Sequence, residues 1–359
     1  MDTDLISSTA ASLVVPAPRP TAPSRRRTRT PRLSVVVVNY HNWDETASLV
    51  RQLRASPALR SGDVEVIVVD NNSPRHPALR RLRRLSGVSV RRWRQNRGFA
   101  RAVNEGCRLA RGDWVLLLNP DVTLPPGFLV QALRTAERRA VEEPNLGVVG
   151  FRLLNPDGTR QPSTGPFPTL TGSVARLLLP RWMRKYNFLS PDDASPVDWV
   201  TGCCLLVRRA CWEQLGGFDR DFFLYYEDVD LCRRASTAGW TVAFEPMVCA
   251  VHHHPLHGRD IPPYLRLVTR HALLTYAGKH WPGWQLRVLA GLIHIEAKLR
   301  AFGARRQGDL RSAAIFTELD RLTTDLVRGD KAAAERRLRR VVYREERDRD
   351  AVFDRHPKP

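Results

Sequence analysis

Two acidic groups in this chain carry the residue types that chemistry on a phosphate-bearing substrate requires. One is Glu227-Asp228-Val229-Asp230, which follows the aromatic segment Phe222 to Tyr226. The other is Asn119-Pro120-Asp121, far upstream. A divalent cation held by Asp121 would neutralise a departing phosphate, and a carboxylate in a partly dry cleft would deprotonate the incoming nucleophile. The two groups together predict transfer of a group from a phosphate-bearing donor.

Each acidic group also has a purely structural interpretation. Acids at the start of a helix are favoured by capping and by the helix dipole, and the segment from Leu231 to Ala238 reads as such a helix. Asp and Asn favour turns after strands, which would account for Asn119 and Asp121. On the residues alone, both interpretations stay open.

Buried strands must position these groups. Apolar β-branched or leucine-rich runs predict strands at Leu33–Val38, Val64–Val69 and Trp114–Leu118, with helical segments between them. This alternation predicts an α/β fold with a mostly parallel sheet, whose ligands gather at the carboxyl ends of the strands. The polar residues found at those ends are Asn39, Tyr40, Asp70, Asn119 and Asp121.

The composition changes twice along the chain. Residues 1–32 are rich in Pro, Ser, Thr and Ala and end in an arginine cluster, which predicts a disordered basic tail. Residues 33–258 form the predicted α/β domain, in which Asp198–Val207 reads as one strand and Trp240–Val251 as another. Residues 259–359 are strongly charged and predict a basic, helical C-terminal extension.

Four histidines, His252, His253, His254 and His257, follow the strand predicted to end at Val251. Histidines at this density are common metal ligands, and they are also common in surface loops. One of them could complete the coordination of a cation at Asp121, whereas all four could not bind one ion.

The net charge of the 359 residues is +20, from 57 Lys and Arg against 37 Asp and Glu. Such a surplus indicates an anionic partner, and ten arginines lie between Arg75 and Arg101 with no acid among them. An alternative function is therefore a basic nucleic-acid-binding α/β protein, but it gives Asp121 and Asp228 no task and no nucleic-acid reader motif is present. A dinucleotide-dependent oxidoreductase is disfavoured because Asn39-Tyr40-His41-Asn42 stands where a glycine-rich loop would follow the first strand.

The six cysteines show no metal-binding or disulfide spacing, which predicts a reducing compartment. The sequence begins with acidic residues where an export signal would be basic, and no apolar run is long enough to cross a bilayer. We expect a cytoplasmic protein, with peripheral association at the inner face of the plasma membrane as a further expectation.

The motifs, in their order, resemble inverting glycosyltransferases of family 2 with the GT-A fold, especially the rhamnosyltransferase-like branch. The resemblance covers Leu33 to Gly258. Its most specific part is Gly216-Gly217-Phe218-Asp219, followed by the segment from Phe222 to Arg234 and by Ala238-Gly239-Trp240. Looser matches are Val38-Asn39-Tyr40, Val69-Asp70-Asn71-Asn72-Ser73 and Asn96-Arg97-Gly98-Phe99.

The resemblance implies a role for each matching residue. Asp228 would be the catalytic base, with Glu227 beside it, and Asp121 would bind the metal, with Asn119 at the first position of that element. His252 is the best match for a histidine that reaches the metal, although departures after it leave His253, His254 and His257 open. The remaining implied contacts are Tyr40 and Asp70 with base and ribose, Asn96, Gly98 and Asn104 around the donor, and Trp199, Thr201 and Gly202 with the acceptor.

The resemblance also implies the partners. The donor would be a nucleotide-diphosphate sugar, dTDP- or UDP-linked, with rhamnose one candidate sugar, and the cofactor Mg²⁺ or Mn²⁺. The acceptor would be a saccharide or a polyprenyl-diphosphate-linked sugar of cell-surface polysaccharide synthesis, and no nucleic acid is expected. Basic segments would hold the enzyme at an anionic membrane, aided by Trp281, Trp284, Leu286, Leu289 and Ile293.

Overall fold

The computed structural model describes residues 30–178, 192, 195–254 and 261–355. The strands are β1 (Leu33–Asn39), β2 (Val64–Asn71), β3 (Val88–Trp93), β4 (Trp114–Leu118), β5 (Val122–Thr123), β6 (Leu146–Leu154), β7 (Arg160–Gln161), β8 (Thr164–Gly165), β9 (Ser195–Pro196), β10 (Trp199–Val200), β11 (Cys204–Arg208) and β12 (Thr241–His252). The helices are α1 (Trp43–Ala55), α2 (Pro57–Ser61), α3 (Pro77–Arg83), α4 (Phe99–Leu109), α5 (Phe128–Glu142), α6 (Leu170–Leu178), α7 (Arg209–Leu215), α8 (Glu227–Thr237), α9 (Pro263–His280), α10 (Gly283–Arg306), α11 (Leu310–Val327) and α12 (Lys331–Arg355).

The main sheet has the strand order β3-β2-β1-β4-β11-β6-β12-β5. Strands β3, β2, β1 and β4 are parallel to their neighbours, and β12 is parallel to β6. Strand β11 lies between β4 and β6 and is antiparallel to both. The prediction of an α/β fold with a mostly parallel sheet and C-terminal helices is thus confirmed, and the polar ends of β1, β2 and β4 lie at one edge.

Both faces of the sheet are covered, which explains the continuous apolar strands. In β1, Val35 and Val37 point into a core shared with α1, α3 and α5, whereas Val36 and Val38 point into a core shared with α4, α7 and α8. Alternate side chains of a strand face opposite sides, so a strand buried on both faces needs apolar residues at every position.

The single strand predicted over Asp198–Val207 is wrong, because the chain turns within it. Residues Trp199–Val200 form β10, which pairs with β8, and Cys204–Arg208 form β11 in the main sheet. Between the two strands, the backbone N–H of Thr201 donates to the carbonyl of Ser163, and that of Gly202 donates to Asp228. These bonds replace strand pairing at the turn.

Helices α9 to α12 pack around a separate apolar core that includes Leu274, Leu319 and Leu338. Leu289 and Ile293 of α10 belong to this core and are fully buried. Their predicted contribution to membrane binding is therefore wrong, because the protein itself covers these two side chains. The predicted tail lies outside the described residues except for residues 30–32, and His257 lies outside them too; the division into three segments stays a prediction.

Within the part of the chain that the structure describes, none of the helices has the length and apolar character needed to cross a membrane.

Candidate active site

The predicted metal-binding segment and the predicted base converge at the turn between β10 and β11. The backbone N–H of Asn119 donates to the carbonyl of Cys203 at 2.9 Å. The neighbouring Gly202 donates its backbone N–H to Oδ2 of Asp228 at 2.8 Å. Asp121 and Asp228 both act electrostatically on the Cys203 thiol, which raises its pKa further after burial. The two acids therefore lie in one region of the molecule, as the sequence predicts.

Asp228 stands in the first turn of α8, where backbone donors hold its carboxylate. Besides Gly202, its own neighbour Val229 donates a backbone N–H to Oδ1 at 2.8 Å. Burial raises the pKa of Asp228 above its ordinary value, and these backbone hydrogen bonds oppose the rise without cancelling it. A carboxylate with a raised pKa binds a proton more tightly than an ordinary aspartate, which suits it to accept a proton from a hydroxyl.

Glu227, beside it, is in a different environment. The residue is only 4% exposed, and its Oε2 has no hydrogen-bond partner. Burial, followed by the nearby charge of Asp228, raises its pKa well above the ordinary value. This environment favours the neutral form of Glu227, and Asp228, whose carboxylate accepts two backbone hydrogen bonds, is the better candidate for the base.

Asp121 faces His252 at the end of β12. The distance from Nε2 of His252 to Oδ2 of Asp121 is 3.3 Å, and both side chains are about nine-tenths buried. Burial tends to raise the pKa of Asp121, but the hydrogen bond and charge of His252 outweigh it and lower the pKa. Nδ1 of His252 lies 2.9 Å from Nε2 of Gln161, whose Oε1 is buried and has no partner.

The structure separates His252 from its neighbours. His253 places its Nε2 2.7 Å from Oγ1 of Thr123, and Nε2 of His254 lies 3.1 Å from Glu45 on α1. The ring of His252 lies against the carboxylate of Asp121, and His254 acts on that carboxylate only through its charge, after the hydrogen bond and charge of His252, in lowering the pKa of Asp121.

Unusual backbone conformations occur beside the predicted site residues. Among the described residues, those other than glycine with positive φ are His41, Asn72, Tyr225 and Tyr226. The first two follow the ends of β1 and β2, and the tyrosines immediately precede Glu227. Residues in this region of φ carry strain that is concentrated at functional sites, so the backbone supports a site at this edge.

Asp70 lies at the end of β2 and is fully buried. It accepts hydrogen bonds from Nδ2 of Asn39 and from the backbone of Ser73, and Nε of Arg92 lies 3.0 Å from its Oδ2. Burial outweighs these partners and leaves its pKa raised. In this arrangement Asp70 holds together the ends of β1 and β2, and its predicted contact with a nucleotide stays a prediction.

Asn96 and Gly98 lie in the loop before α4, as predicted. Oδ1 of Asn96 accepts hydrogen bonds from the backbone of Gly98 at 2.9 Å and from Nδ2 of Asn71 at 2.8 Å. Gly98 has a φ of +91°, and a Cβ atom there would lie 2.7 Å from the carbonyl oxygen of Phe223. The loop therefore needs glycine at this position for both reasons.

Tyr40, predicted to contact the base, has an unexpected partner. Its hydroxyl lies 2.5 Å from Oε1 of Glu346, a buried residue of α12. The same Glu346 oxygen accepts a hydrogen bond from Nδ2 of Asn96 at 2.6 Å. Two residues predicted for the donor site are thus joined by the C-terminal helix.

Asn104, on α4, is placed away from these contacts. Its amide exchanges two hydrogen bonds with the backbone of Phe218, at 2.8 and 2.9 Å. It therefore fixes the Gly216–Asp219 segment, and an effect on the donor would be indirect. On the acceptor side, Gly202 and Thr201 lie beside Asp228 and Ser163, and Trp199 donates its indole N–H to the carbonyl of Pro166 at 2.9 Å.

Comparison with known protein families identifies the family of this chain. The family model described as glycosyltransferase like family 2 matches residues 31–272, which is more than half of the chain. The chain belongs to this family.

Two curated relatives extend the comparison of this family 2 glycosyltransferase. An N-acetylglucosaminyl-diphospho-decaprenol L-rhamnosyltransferase of Mycobacterium tuberculosis is 32% identical over 274 residues, covering 70% of this chain and 86% of the relative. The low-salt glycan biosynthesis hexosyltransferase Agl10 of Haloferax volcanii is 28% identical, covering 62% of this chain and 68% of the relative. The resemblance to the rhamnosyltransferase-like branch is confirmed.

The fold of the glycosyltransferase resembles a solved structure. GalNAc-T7, crystallised with UDP, GalNAc and Mn²⁺, superimposes with a TM-score of 0.50 at 16% identity, covering 70% of this chain and 51% of GalNAc-T7. The likeness supports the GT-A fold and, at this identity, carries nothing about substrates.

Sequence reasoning missed three contacts of the glycosyltransferase. Gln161 beside His252 and Glu346 beside Tyr40 gave no local signal, because both stand among other polar residues and lie far along the chain from their partners. The third is Asp230, which is fully buried and paired with Arg234, Lys279 and His280. Burial tends to raise its pKa, but these partners lower it to about 2, so Asp230 fastens α8 to α9.

Proposed function

We propose that this chain is an inverting glycosyltransferase that moves a sugar from a nucleotide-diphosphate donor to a hydroxyl of a saccharide or lipid-linked acceptor. The observation that carries the proposal is the hydrogen bond between Gly202 and Asp228, in the region that also contains the Asp121–His252 pair. This arrangement supports a base, Asp228, beside the predicted acceptor loop. It also supports a carboxylate, Asp121, that could hold a cation where the diphosphate of the donor would leave.

The proposed step is a single in-line displacement. Asp228 takes the proton of the acceptor hydroxyl while the hydroxyl oxygen attacks the anomeric carbon, and the bond from that carbon to the diphosphate oxygen breaks. Attack from the side opposite the leaving group inverts the anomeric configuration. Burial and the charge of Asp228 raise the pKa of Glu227, which favours its neutral form and leaves Asp228 as the carboxylate that accepts the proton.

Asp121 and His252 are the residues that would hold a divalent cation, Mg²⁺ or Mn²⁺. A bound cation would stabilise the negative charge that develops on the departing diphosphate. The residues fit a cation. Rotation of the Gln161 amide would place its unpartnered Oε1 against Nδ1–H of His252, and Nε2 of His252 would then carry no proton and could bind the metal. Because the described residues contain no group of three His, Cys, Asp or Glu side chains able to hold a metal, donor phosphates and water would complete the shell.

The first of the two relatives supports the choice of substrates. Its name is that of an L-rhamnosyltransferase, and the same name gives its acceptor as N-acetylglucosaminyl-diphospho-decaprenol. We propose a dTDP- or UDP-linked donor, with rhamnose as the first sugar to test, and a polyprenyl-diphosphate-linked acceptor.

The deciding experiment is product analysis. The 359-residue chain would be incubated with dTDP-rhamnose or UDP-sugars, Mn²⁺ and a synthetic polyprenyl-diphosphate sugar, and the anomeric configuration of the product would be read by NMR. We expect a product of inverted configuration that disappears in Asp228→Asn. A product of retained configuration, or one that persists in the variant, would overturn the mechanism.

An exposed face of α10 supports a membrane partner for the same enzyme. Five apolar side chains form one stripe along the helix, and each is between 45% and 67% exposed: Trp284, Val288, Ile295, Leu299 and Phe302. From Trp284 to Phe302 the stripe spans about 27 Å of helix axis. Contiguous exposed apolar surface of this kind marks an interaction site.

The charges beside the stripe indicate which partner fits it. Arg287, Lys298 and Arg305 are exposed and recur along one border of the stripe. Within α10, which the structure describes in full, the one acidic residue is Glu296, and it is paired with Arg270 at 2.8 Å on another face. Apolar side chains bordered by cations suit an anionic lipid surface, so we propose that this face lies on an anionic leaflet.

Vesicle flotation tests this surface. We expect the protein to float with phosphatidylcholine vesicles that contain phosphatidylglycerol and to lose this binding when Trp284 and Phe302 are both replaced by serine. The control is Val141→Ser, since Val141 is 82% exposed on α5. Binding unchanged in the double variant would exclude the face, and a dimer by sedimentation that the double variant abolishes would assign it to a second copy instead.

A further inference from the structure

Helix α12 lies across the loops that the sequence assigns to the donor nucleotide. Nζ of Lys331 is 2.7 Å from Asp221, and Glu335 is 2.7 Å from Nη2 of Arg101 on α4. Further along, the hydroxyl of Tyr343 donates to the carbonyl of Asn96 at 3.2 Å. These contacts follow the helix for most of its length.

This helix lies beyond the family match, which ends at residue 272. Its contribution to the site therefore does not follow from the family match. The helix places one carboxylate beside Tyr40 and Asn96, which are predicted to contact the nucleotide, and the role of that carboxylate has to be explained from its contacts.

Glu346 is that carboxylate. It is 6% exposed, and its Oε1 lies 2.5 Å from the hydroxyl of Tyr40 and 2.6 Å from Nδ2 of Asn96. An anionic oxygen that receives two donors makes charge-assisted hydrogen bonds, which are shorter and stronger than neutral ones. One atom of α12 thus fixes side chains from the end of β1 and from the loop before α4.

We propose that α12 forms one wall of the nucleotide site and that Glu346 is a positioning residue for donor binding. By holding Tyr40 and Asn96 in place before the nucleotide arrives, it removes the entropy cost of ordering them on binding. The inference rests on the proposed function, because it assumes that Tyr40 and Asn96 meet a nucleotide.

The packing of α12 indicates that this helix is a fixed wall of the site and does not open as a lid. Ala334 and Leu338 are fully buried in the core of the C-terminal helices, and Val341 and Val342 are 7% and 5% exposed. Opening the helix would expose these side chains and break the ion pairs at Glu335 and Lys331. A helix held in this way presents Glu346 in one position.

The chain contains a matched control for Glu346. Glu345 is the preceding residue of the same helix, and its Oε1 accepts a hydrogen bond from Nε of Arg311 on α11 at 3.0 Å. Replacing either glutamate by alanine removes the same charge from the same turn, but only Glu346→Ala releases Tyr40 and Asn96.

Calorimetric titration with UDP, dTDP and GDP in the presence of Mn²⁺ tests the inference. For the nucleotide that binds the wild type most tightly, we expect Glu346→Ala to raise Kd about tenfold, a loss of about 1.4 kcal/mol, and Glu345→Ala to change it less than twofold. In turnover assays Glu346→Ala should raise KM with kcat nearly unchanged. Equal or tighter binding by Glu346→Ala would overturn the inference while leaving the proposed function intact, whereas no binding of any of the three to the wild type would overturn both.

A double-mutant cycle distinguishes loss of the Glu346–Tyr40 contact from misfolding of the Glu346→Ala variant. Tyr40→Phe and Glu346→Gln preserve size, and their effects on Kd should be non-additive if the two side chains act as one unit. Additive effects would show that Glu346 and Tyr40 act independently and would overturn the positioning role.

Discussion

Gly202 and Asp228 are joined by a backbone-to-carboxylate hydrogen bond of 2.8 Å, so the predicted acceptor loop also orients the predicted base. Asp228→Asn keeps the size of the side chain and removes its capacity to take a proton. We expect kcat to fall by about 10²- to 10⁴-fold, with donor Kd changed less than twofold. Asp44→Asn, at a side chain that is 91% exposed, is the control and should retain full activity. Turnover close to wild type in Asp228→Asn would remove it from the mechanism.

The raised pKa of Asp228 predicts that kcat/KM decreases on the acid side of its pH profile. Because burial makes its proton harder to lose, the base is ionised only at a pH above the range set by an ordinary aspartate, whose pKa is 3.8. We expect kcat/KM to fall as pH decreases through this raised value. The measurement is kcat/KM against pH with circular dichroism at each point, and a rate that stays constant down to pH 4 in folded protein contradicts the assignment.

Glu227 predicts a pH-dependent stability. In the unfolded chain its pKa is near the ordinary value of 4.5, and in the folded chain burial raises it well above that value. The folded state therefore binds this proton more tightly. Its contribution is complete below pH 4.5 and is lost as pH rises toward the folded-state value, by up to about 1.4 kcal/mol per pH unit. Glu227→Gln removes the titration, so its Tm relative to wild type should increase from pH 5 to pH 8. Parallel Tm curves for the two proteins would show that the buried carboxyl is not neutral.

The sequence predicted features that depend on short-range pattern. Apolar runs placed β1, β2 and β4, and the polar residue after each strand lay at the common edge. The acids from Glu227 to Asp230 marked the start of α8. Their proximity to Asp121 followed from the order of motifs in the family, since strand pairing and not local pattern brings β4 and β11 together.

Two features were beyond such reasoning for physical reasons. Helix α10 has apolar residues on two faces, so periodicity cannot tell that Ile293 is buried while Ile295 is exposed; that depends on where α9 and α11 pack. Glu346 is separated from Asn96 by 250 residues, and a single glutamate in a charged helix has no local pattern that distinguishes it from Glu345.

Gly98 allows the loop before α4 to pass close to Phe223. Replacing it would cost stability in two ways, through the strain of a positive φ and through the clash of the new Cβ with Phe223. In Gly98→Ala, the added Cβ would meet a carbonyl oxygen at 2.7 Å at a positive φ. Gly62→Ala is the control, because Gly62 also has a positive φ and open space around its Cβ position. We expect the control to lose about 1 kcal/mol of unfolding free energy and Gly98→Ala about 3 kcal/mol, together with nucleotide binding. Equal losses in urea unfolding would show that Phe223 moves aside.

The contact between His252 and Asp121 predicts which histidine serves the cation and when it binds. Two protein ligands hold Mn²⁺ weakly, so Mn²⁺ alone should leave Tm nearly unchanged, whereas Mn²⁺ with a nucleoside diphosphate should raise it more than the nucleotide does alone. His252→Ala should abolish this extra increase. His254→Ala is the control, since His254 faces Glu45, and it should retain the increase. An increase that survives in His252→Ala but is lost in His254→Ala would move the metal ligand to the other histidine, and the mechanism would then need a different geometry at Asp121.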